Sequence, residues 1–351
     1  MRALTYAAFG AVPVVTELPD PVAPPGGAVV RVHASGLCRS DWHGWMGHDP
    51  DVASFPHVPG HEFAGVVESV GAGVDPAWVG RRVTAPFVQA CGECAVCAAG
   101  EGQVCPDQRQ PGFSDPGSFA ERVVVRAAAT NLVALPDGVG TREAAALGCR
   151  VATAHRAVVG RGRVAAGELV LVLGCGGVGL AAVEVAVGRG ARVCAVDVAA
   201  EARERAAALG AEHAVDGSQP VEQVLEAVCD WSGGGVAVAV DAVGSPATCR
   251  TGILALARRG RHVQVGLLPP AAGRPDVPME RVIGWELDVL GSHGMAASDY
   301  ADLLGDVASG ALSLAALLAP GEPMGLEEAG HALTRMGSTP SRGIALVDPS
   351  R

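Results

Sequence analysis

Hydrophobic positions over the first 150 residues fall in short runs, AVVRVHASG at 28–36, FAGVVESVG at 63–71 and RRVTAPF at 81–87. Glycine and proline separate them, which predicts strands and turns of a β-rich domain. From about residue 151 the pattern lengthens. ELVLVLGCGGVGLAAVEVAVGRGARVCAVDVAAEARERAAALGA at 168–211 reads as strand, glycine turn, helix, strand, helix. VAVAVDAVGS at 236–245 and TCRTGILALARRGRHVQVGLL at 248–268 repeat the alternation, so a parallel sheet is expected to run to about residue 290. ASDYADLLGDVASGALS and LEEAGHALTRM then predict helices, and GIALVD a closing strand. The fold class is α/β in two domains, the expectation for 351 residues as well.

Composition narrows the function. Apolar residues make up 49% of the chain and charged residues 18%, which suits a compact, turn-rich enzyme. A net charge of −11 with no basic cluster speaks against nucleic acid, because phosphate binding needs a Lys/Arg surface. The N-terminus lacks the pattern of a signal peptide, and no 18-residue apolar run is free of glycine or charge. A cytoplasmic protein with no membrane partner is therefore expected.

Four of the ten cysteines, Cys91, Cys94, Cys97 and Cys105, crowd into fifteen residues with the spacing C-x2-C-x2-C-x7-C. Four thiolates satisfy tetrahedral zinc at about 2.3 Å each, a closed and hence structural site. Disulfides suit a reducing compartment poorly, and no second cysteine-rich cluster suggests iron–sulfur chemistry. Cys38, His61 and Cys149 form a second candidate set. Two cysteines and a histidine leave one zinc position open, as a catalytic ion requires, although spacing alone does not bring Cys149 to the other two.

The residues CRSDWH at 38–43, GHE at 60–62, the four-cysteine lobe, Cys149 and the glycine-rich loop occur in one order along the chain. In this the sequence resembles the zinc-dependent alcohol dehydrogenases of the medium-chain dehydrogenase/reductase superfamily. The resemblance implies a GroES-like catalytic domain at residues 1–150, rejoined by 293–351, and a Rossmann cofactor domain at 151–292. It implies that Cys38, His61 and Cys149 bind the catalytic zinc, with Glu62 able to approach or orient the metal shell. Ser40 and His43 would relay the proton to the surface. Arg39 and Arg342 would hold the cofactor pyrophosphate, and Trp45 and Phe87 would line the substrate pocket. Chains of this kind form tetramers, or else dimers.

The loop Gly174-Cys175-Gly176-Gly177-Val178-Gly179 follows the apolar run LVLVL and opens an Ala-rich stretch. That is the context in which G-x-G-x-x-G binds a dinucleotide: Gly174 for the tight turn, Gly176 for backbone approach to pyrophosphate, Gly179 for helix–strand packing. Asp197 stands eighteen residues past Gly179, where a carboxylate accepts ribose hydroxyls and repels the 2′-phosphate of NADP, which favours NAD. Many relatives carry a basic residue five positions past this acid, where this chain has Ala202, with Arg203 next.

The expected protein is thus an NAD-linked alcohol dehydrogenase with two zinc ions per subunit, acting on a primary or simple secondary alcohol. A sorbitol- or threonine-type dehydrogenase is the rival, and Cys149 disfavours the sorbitol type, which usually has a carboxylate there. A non-catalytic zinc-lobe protein would leave three ligands and the glycine loop unexplained.

Overall fold

The ten residues AVVRVHASGL make the longest strand of the first unit, and only Arg31 among them is exposed. β-Branched valines suit such a strand, buried on both faces. The structure, a computed structural model, describes residues 1–268, 273–337 and 343–351. Its two compact units are Met1–Ala152 with Gly294–Ala308 and Leu318–Arg351, and Thr153–His293 with Ser309–Leu317.

In the first unit β1 (Arg2–Thr5) and β2 (Val14–Glu17) form an antiparallel pair that the hydrophobic pattern did not single out. The main sheet contains β3 (Ala28–Leu37), β4 (Phe63–Val70), β5 (Arg82–Thr84), β6 (Arg122–Val125), β7 (Val133–Ala134) and β14 (Ala345–Val347). Its order is β14-β3-β4-β5-β7, with β6 also paired to β3, and every pairing is antiparallel. Val30, Val32, Phe63, Val67, Val83 and Val123 fill one core. Helix Leu326–Arg335 packs Leu326 and Leu333 into a second core with Leu4, Tyr6 and Leu37. Tyr300 anchors the returning 294–308 segment by donating its hydroxyl to Leu147 O at 2.8 Å.

The second unit is a six-stranded parallel sheet of β8 (Leu169–Leu173), β9 (Arg192–Asp197), β10 (His213–Asp216), β11 (Val236–Asp241), β12 (Leu256–Gln264) and β13 (Asp288–Gly291). Its order, β10-β9-β8-β11-β12-β13, reverses direction at β8, so the carboxyl end of β8 lies at the switch point where such sheets bind ligands. Central strands covered by helices on both faces need no polar alternation, which is why LVLVL reads as an unbroken apolar run. Ser245 starts helix Pro246–Leu254, its Oγ accepting Thr248 N–H at 3.1 Å, with proline at the first helical position. β10 and helix Val221–Ser232 were not singled out in the sequence.

Leu256 is fully buried against Leu171 and Ile253. We expect Leu256→Ala to cost about 2–5 kcal/mol in urea denaturation. Val22, 86% exposed, provides the control, with Val22→Ala expected within about 0.5 kcal/mol of the parent.

Candidate functional site

Two ligand clusters lie in the first unit. Cys38 follows the last residue of β3 and caps helix Arg39–Trp45, its backbone N–H donating to Asp41 Oδ2 at 2.8 Å. His61 stands two residues before β4, behind Gly60. Gly60 has φ +99°, and a side chain there would press on Phe119 N and Ser118. Asp41 Oδ1 accepts both the Gly60 N–H at 3.1 Å and the His61 Nδ1–H at 2.8 Å. The carboxylate therefore fixes the imidazole with its proton on Nδ1 and its lone pair on Nε2. That Nε2 is buried with no hydrogen-bond partner among the described residues. One ligand atom each from Cys38, His61 and Cys149 lies within 4.8 Å of the others, and all three residues are buried. An orphaned imidazole nitrogen between two thiols is a donor set that fits zinc with a fourth position left over.

A buried ion pair ties the three ligands together. Arg150 donates its backbone N–H to Glu62 Oε1 at 2.7 Å and Nε to Glu62 Oε2 at 2.9 Å, with Nη2 on the same oxygen. Its Nη1 donates to Leu37 O at 3.0 Å. Leu37, Glu62 and Arg150 are the chain neighbours of Cys38, His61 and Cys149. The glycine at 36 leaves room for this pair, since a Cβ would collide with Glu62 Oε2 and Arg150 Nη2. Burial pushes the Glu62 carboxyl up while the Arg150 guanidinium opposes it. Both Glu62 oxygens are occupied by Arg150, an engagement that the resemblance alone did not disclose.

Around the triad, Ser40 Oγ is 3.8 Å from Cys38 Sγ. His43, expected at the surface, is half-buried. Its Nδ1 lies 3.0 Å from His48 Nδ1 and its ring 4.9 Å from Trp42. Burial, then the charges of His48 and Arg39, hold His43 below the ordinary histidine value. The Phe87 and Phe113 rings flank His61 at 6.0 and 5.2 Å. Phe113 was not foreseen, and no spacing marks it. Trp45 joins the core with Leu4, Tyr6, Leu37 and Phe119, its Nε1–H donating to Ala11 O at 2.7 Å. Arg39 is exposed, 5.5 Å from the Trp42 ring. Arg342, expected on the pyrophosphate, lies outside the described residues.

The four-cysteine lobe is assembled as well. Sulfur separations are 3.8 Å for Cys91–Cys97, 3.4 Å for Cys94–Cys97, 3.8 Å for Cys94–Cys105 and 3.5 Å for Cys91–Cys105. Four sulfurs at about 2.3 Å from a common centre stand about 3.8 Å apart, whereas a disulfide would need about 2.05 Å. Backbone N–H groups of Glu93 and Cys94 pull the Cys91 thiol down to about 7. The lobe fits a closed zinc site.

In the second unit Gly174 turns the chain at φ +87°, and Gly176 precedes helix Gly177–Gly188 with open space where a side chain would stand. A Cβ on Gly179 would run into Gly174 O, so the helix can close on the strand only as glycine. Gly177 and Val178 open the helix, whose start has no side-chain cap among the described residues. Asp197 Oδ2 accepts the Cys175 N–H at 2.7 Å and Oδ1 the Ala199 N–H at 2.8 Å, which sets this carboxylate beside the glycine loop.

A dinucleotide loop on a parallel sheet, together with two zinc-type donor sets on a β-rich unit, defines the class of zinc-type dehydrogenases. Comparisons agree. Residues 24–137 match the alcohol dehydrogenase GroES-like domain and residues 177–309 the zinc-binding dehydrogenase family. An alcohol dehydrogenase of Geobacillus stearothermophilus is 37% identical over 256 residues, 73% of this chain and 74% of that protein. A sorbitol dehydrogenase of Halalkalibacterium halodurans is 32% identical over 292 residues, 82% of each chain. The solved alcohol dehydrogenase TADH from Thermus sp. ATN1 superposes with a TM-score of 0.88 at 30% identity, covering 99% of both chains. The chain belongs to the alcohol dehydrogenase family of the zinc-type medium-chain dehydrogenases/reductases, with GroES-like and Rossmann-type domains.

Removing Asp41's grip on His61 should weaken the metal site selectively. We expect Asp41→Ala to lower affinity at the triad by about 10–100-fold in chelator competition while the four-cysteine lobe keeps its metal. Arg150→Met, which strands the Glu62 carboxylate, should cost about 3–5 kcal/mol in denaturant unfolding.

Proposed function

We propose that this chain is a zinc-dependent, NAD-linked alcohol dehydrogenase that interconverts a primary or simple secondary alcohol with its aldehyde or ketone. The observation that carries the reading is His61 Nε2, buried and unpartnered beside two cysteine thiols, with its other nitrogen fixed by Asp41. When bound, zinc supplies Lewis acidity toward the substrate hydroxyl and NAD the hydride acceptor. Cys38, His61 and Cys149 would hold the first ion, and Cys91, Cys94, Cys97 and Cys105 the second. Ser40, beside Cys38, would take the hydroxyl proton while handing its own on by way of the cofactor ribose, and half-buried His43 would release a proton to solvent. Glu62 orients the ligand set through Arg150. Phe87, edge-on to His61, supplies an apolar wall for the substrate. Arg39 and Arg342 are assigned to the cofactor pyrophosphate and Asp197 to the adenosine ribose, whose hydroxyls it accepts where a 2′-phosphate would be repelled.

The assembly proposed is a homo-oligomer, a tetramer before a dimer, in the cytoplasm. Among the described residues no helix is long and apolar enough to cross a membrane. A polyol dehydrogenase is the second reading, supported by the sorbitol dehydrogenase match. Cys149 as third ligand supports the first.

Metal analysis of the purified protein and of Cys38→Ser, run alongside NAD and NADP reduction with simple alcohols and polyols, tests the reading. We expect two zincs per chain falling to one, with turnover lost, and NAD preferred. One zinc in both proteins would remove the metal from the chemistry. Faster turnover of polyols would transfer the assignment to the second reading.

A further inference from the structure

Two carboxylates end neighbouring strands at the ligand-binding edge of the parallel sheet. Asp197 closes β9, Asp216 closes β10, and the strand register sets them side by side. Arg203, on helix Ala200–Ala208, brings its guanidinium to the backbone end of β9 beside Asp216, with its side chain only 20% exposed. Its Nη1 donates to Asp197 O at 2.8 Å and Val198 O at 3.0 Å, and lies 3.3 Å from Asp216 Oδ1. Asp216 is itself held, since Oδ1 accepts the Ser218 N–H at 2.9 Å and the Ser218 hydroxyl at 2.8 Å. Arg203 Nε and Nη2 make no hydrogen bond among the described residues.

The Asp197 carboxylate takes no part in this contact. Both its oxygens face backbone N–H groups of Cys175 and Ala199, and among the described residues it forms no ion pair with Arg203. The ribose end of the site thus combines a carboxylate that, among the described residues, has only backbone N–H partners with a cation facing backbone carbonyls. A 2′-phosphorylated ribose needs the opposite, with the carboxylate gone and an arginine fork offered to the phosphate. Arg203 stands in the first turn of the helix that follows β9, six positions past Asp197. It has two unengaged nitrogens to supply that fork, and Asp216 is the side chain that restrains it.

We propose that Asp216 is a specificity-determining residue. By holding Arg203 against the backbone of Asp197 and Val198, it withholds the guanidinium from a 2′-phosphate and adds a restraint on NADP use separate from the charge of Asp197. The inference rests on the dinucleotide reading above. It follows that replacing Asp197 alone releases only part of the discrimination, because the cation that would reward the phosphate stays turned away.

NADH and NADPH binding, followed by nicotinamide fluorescence without alcohol turnover, separates the contributions. The proteins compared are the parent, Asp197→Ser, Asp197→Ser with Asp216→Ala, and that pair with Arg203→Ala. We expect Asp216→Ala to tighten NADPH binding about tenfold beyond Asp197→Ser, as a new arginine–phosphate contact would, and Arg203→Ala to cancel that gain. No added gain from Asp216→Ala overturns the proposal. So does a gain that survives without Arg203, for Asp216 would then act as a plain negative charge. A parent that binds neither nucleotide overturns the dehydrogenase reading and this inference together, whereas NADH binding without the Asp216 effect overturns this inference alone.

Discussion

The buried contact of Arg150 with Glu62 and Leu37 O is the constraint on which the Cys38–His61–Cys149 cluster depends. Each partner adjoins one ligand in the chain, so a single guanidinium sets the spacing of Cys38, His61 and Cys149. Enclosing two charges is expensive in general, and such a pair is poor evidence for stability in itself. Here its value is positional. A flexible lysine would offer no planar fork able to reach a carboxylate and a carbonyl together. Asp41 does for the imidazole what Arg150 does for the backbone, with one buried carboxylate oriented by two N–H groups and the ring.

Much of this was legible in the sequence, and the limits have physical reasons. Cysteine spacing revealed the lobe because four thiolates within fifteen residues have few other uses, and the glycine loop revealed the cofactor domain because its neighbours were a strand and a helix. The convergence of Cys149 on Cys38 and His61 came only from resemblance, since 88 residues separate it from the nearer ligand. Asp41 sat inside the quoted CRSDWH and Arg150 directly after Cys149, yet a buried carboxylate and a buried guanidinium look like surface charges until the fold encloses them. Trp45 carried a second role that spacing did not show: seven residues past a ligand it reads as a pocket wall, and the turn of helix Arg39–Trp45 packs it into the core with Leu4 and Tyr6. Phe113 carries no local signal and reaches His61 only through the chain's path beyond the lobe.

The two units use glycine for different ends. At Gly60 and Gly36 a missing side chain admits the ligand-bearing segments and the ion pair. At Gly179 it lets a helix close on a strand, and at Gly176 it leaves open space before the helix. The first kind of glycine makes room inside the Cys38–His61–Cys149 frame, and the second leaves the backbone of the glycine loop uncovered.

The order in which the chain leaves the ribosome gives the ion pair a further meaning. The four-cysteine lobe is complete once residue 105 has emerged, and its loop is short enough to close at small entropic cost. The triad waits for Cys149 and Arg150, which enter from more than a hundred residues past Cys38 and arrive just before the parallel sheet is made. Until then Glu62 has no guanidinium to face and remains solvated rather than enclosed. During synthesis the four cysteines of the lobe are therefore together before the triad can form, so any metal that the chain takes up early would meet the lobe first.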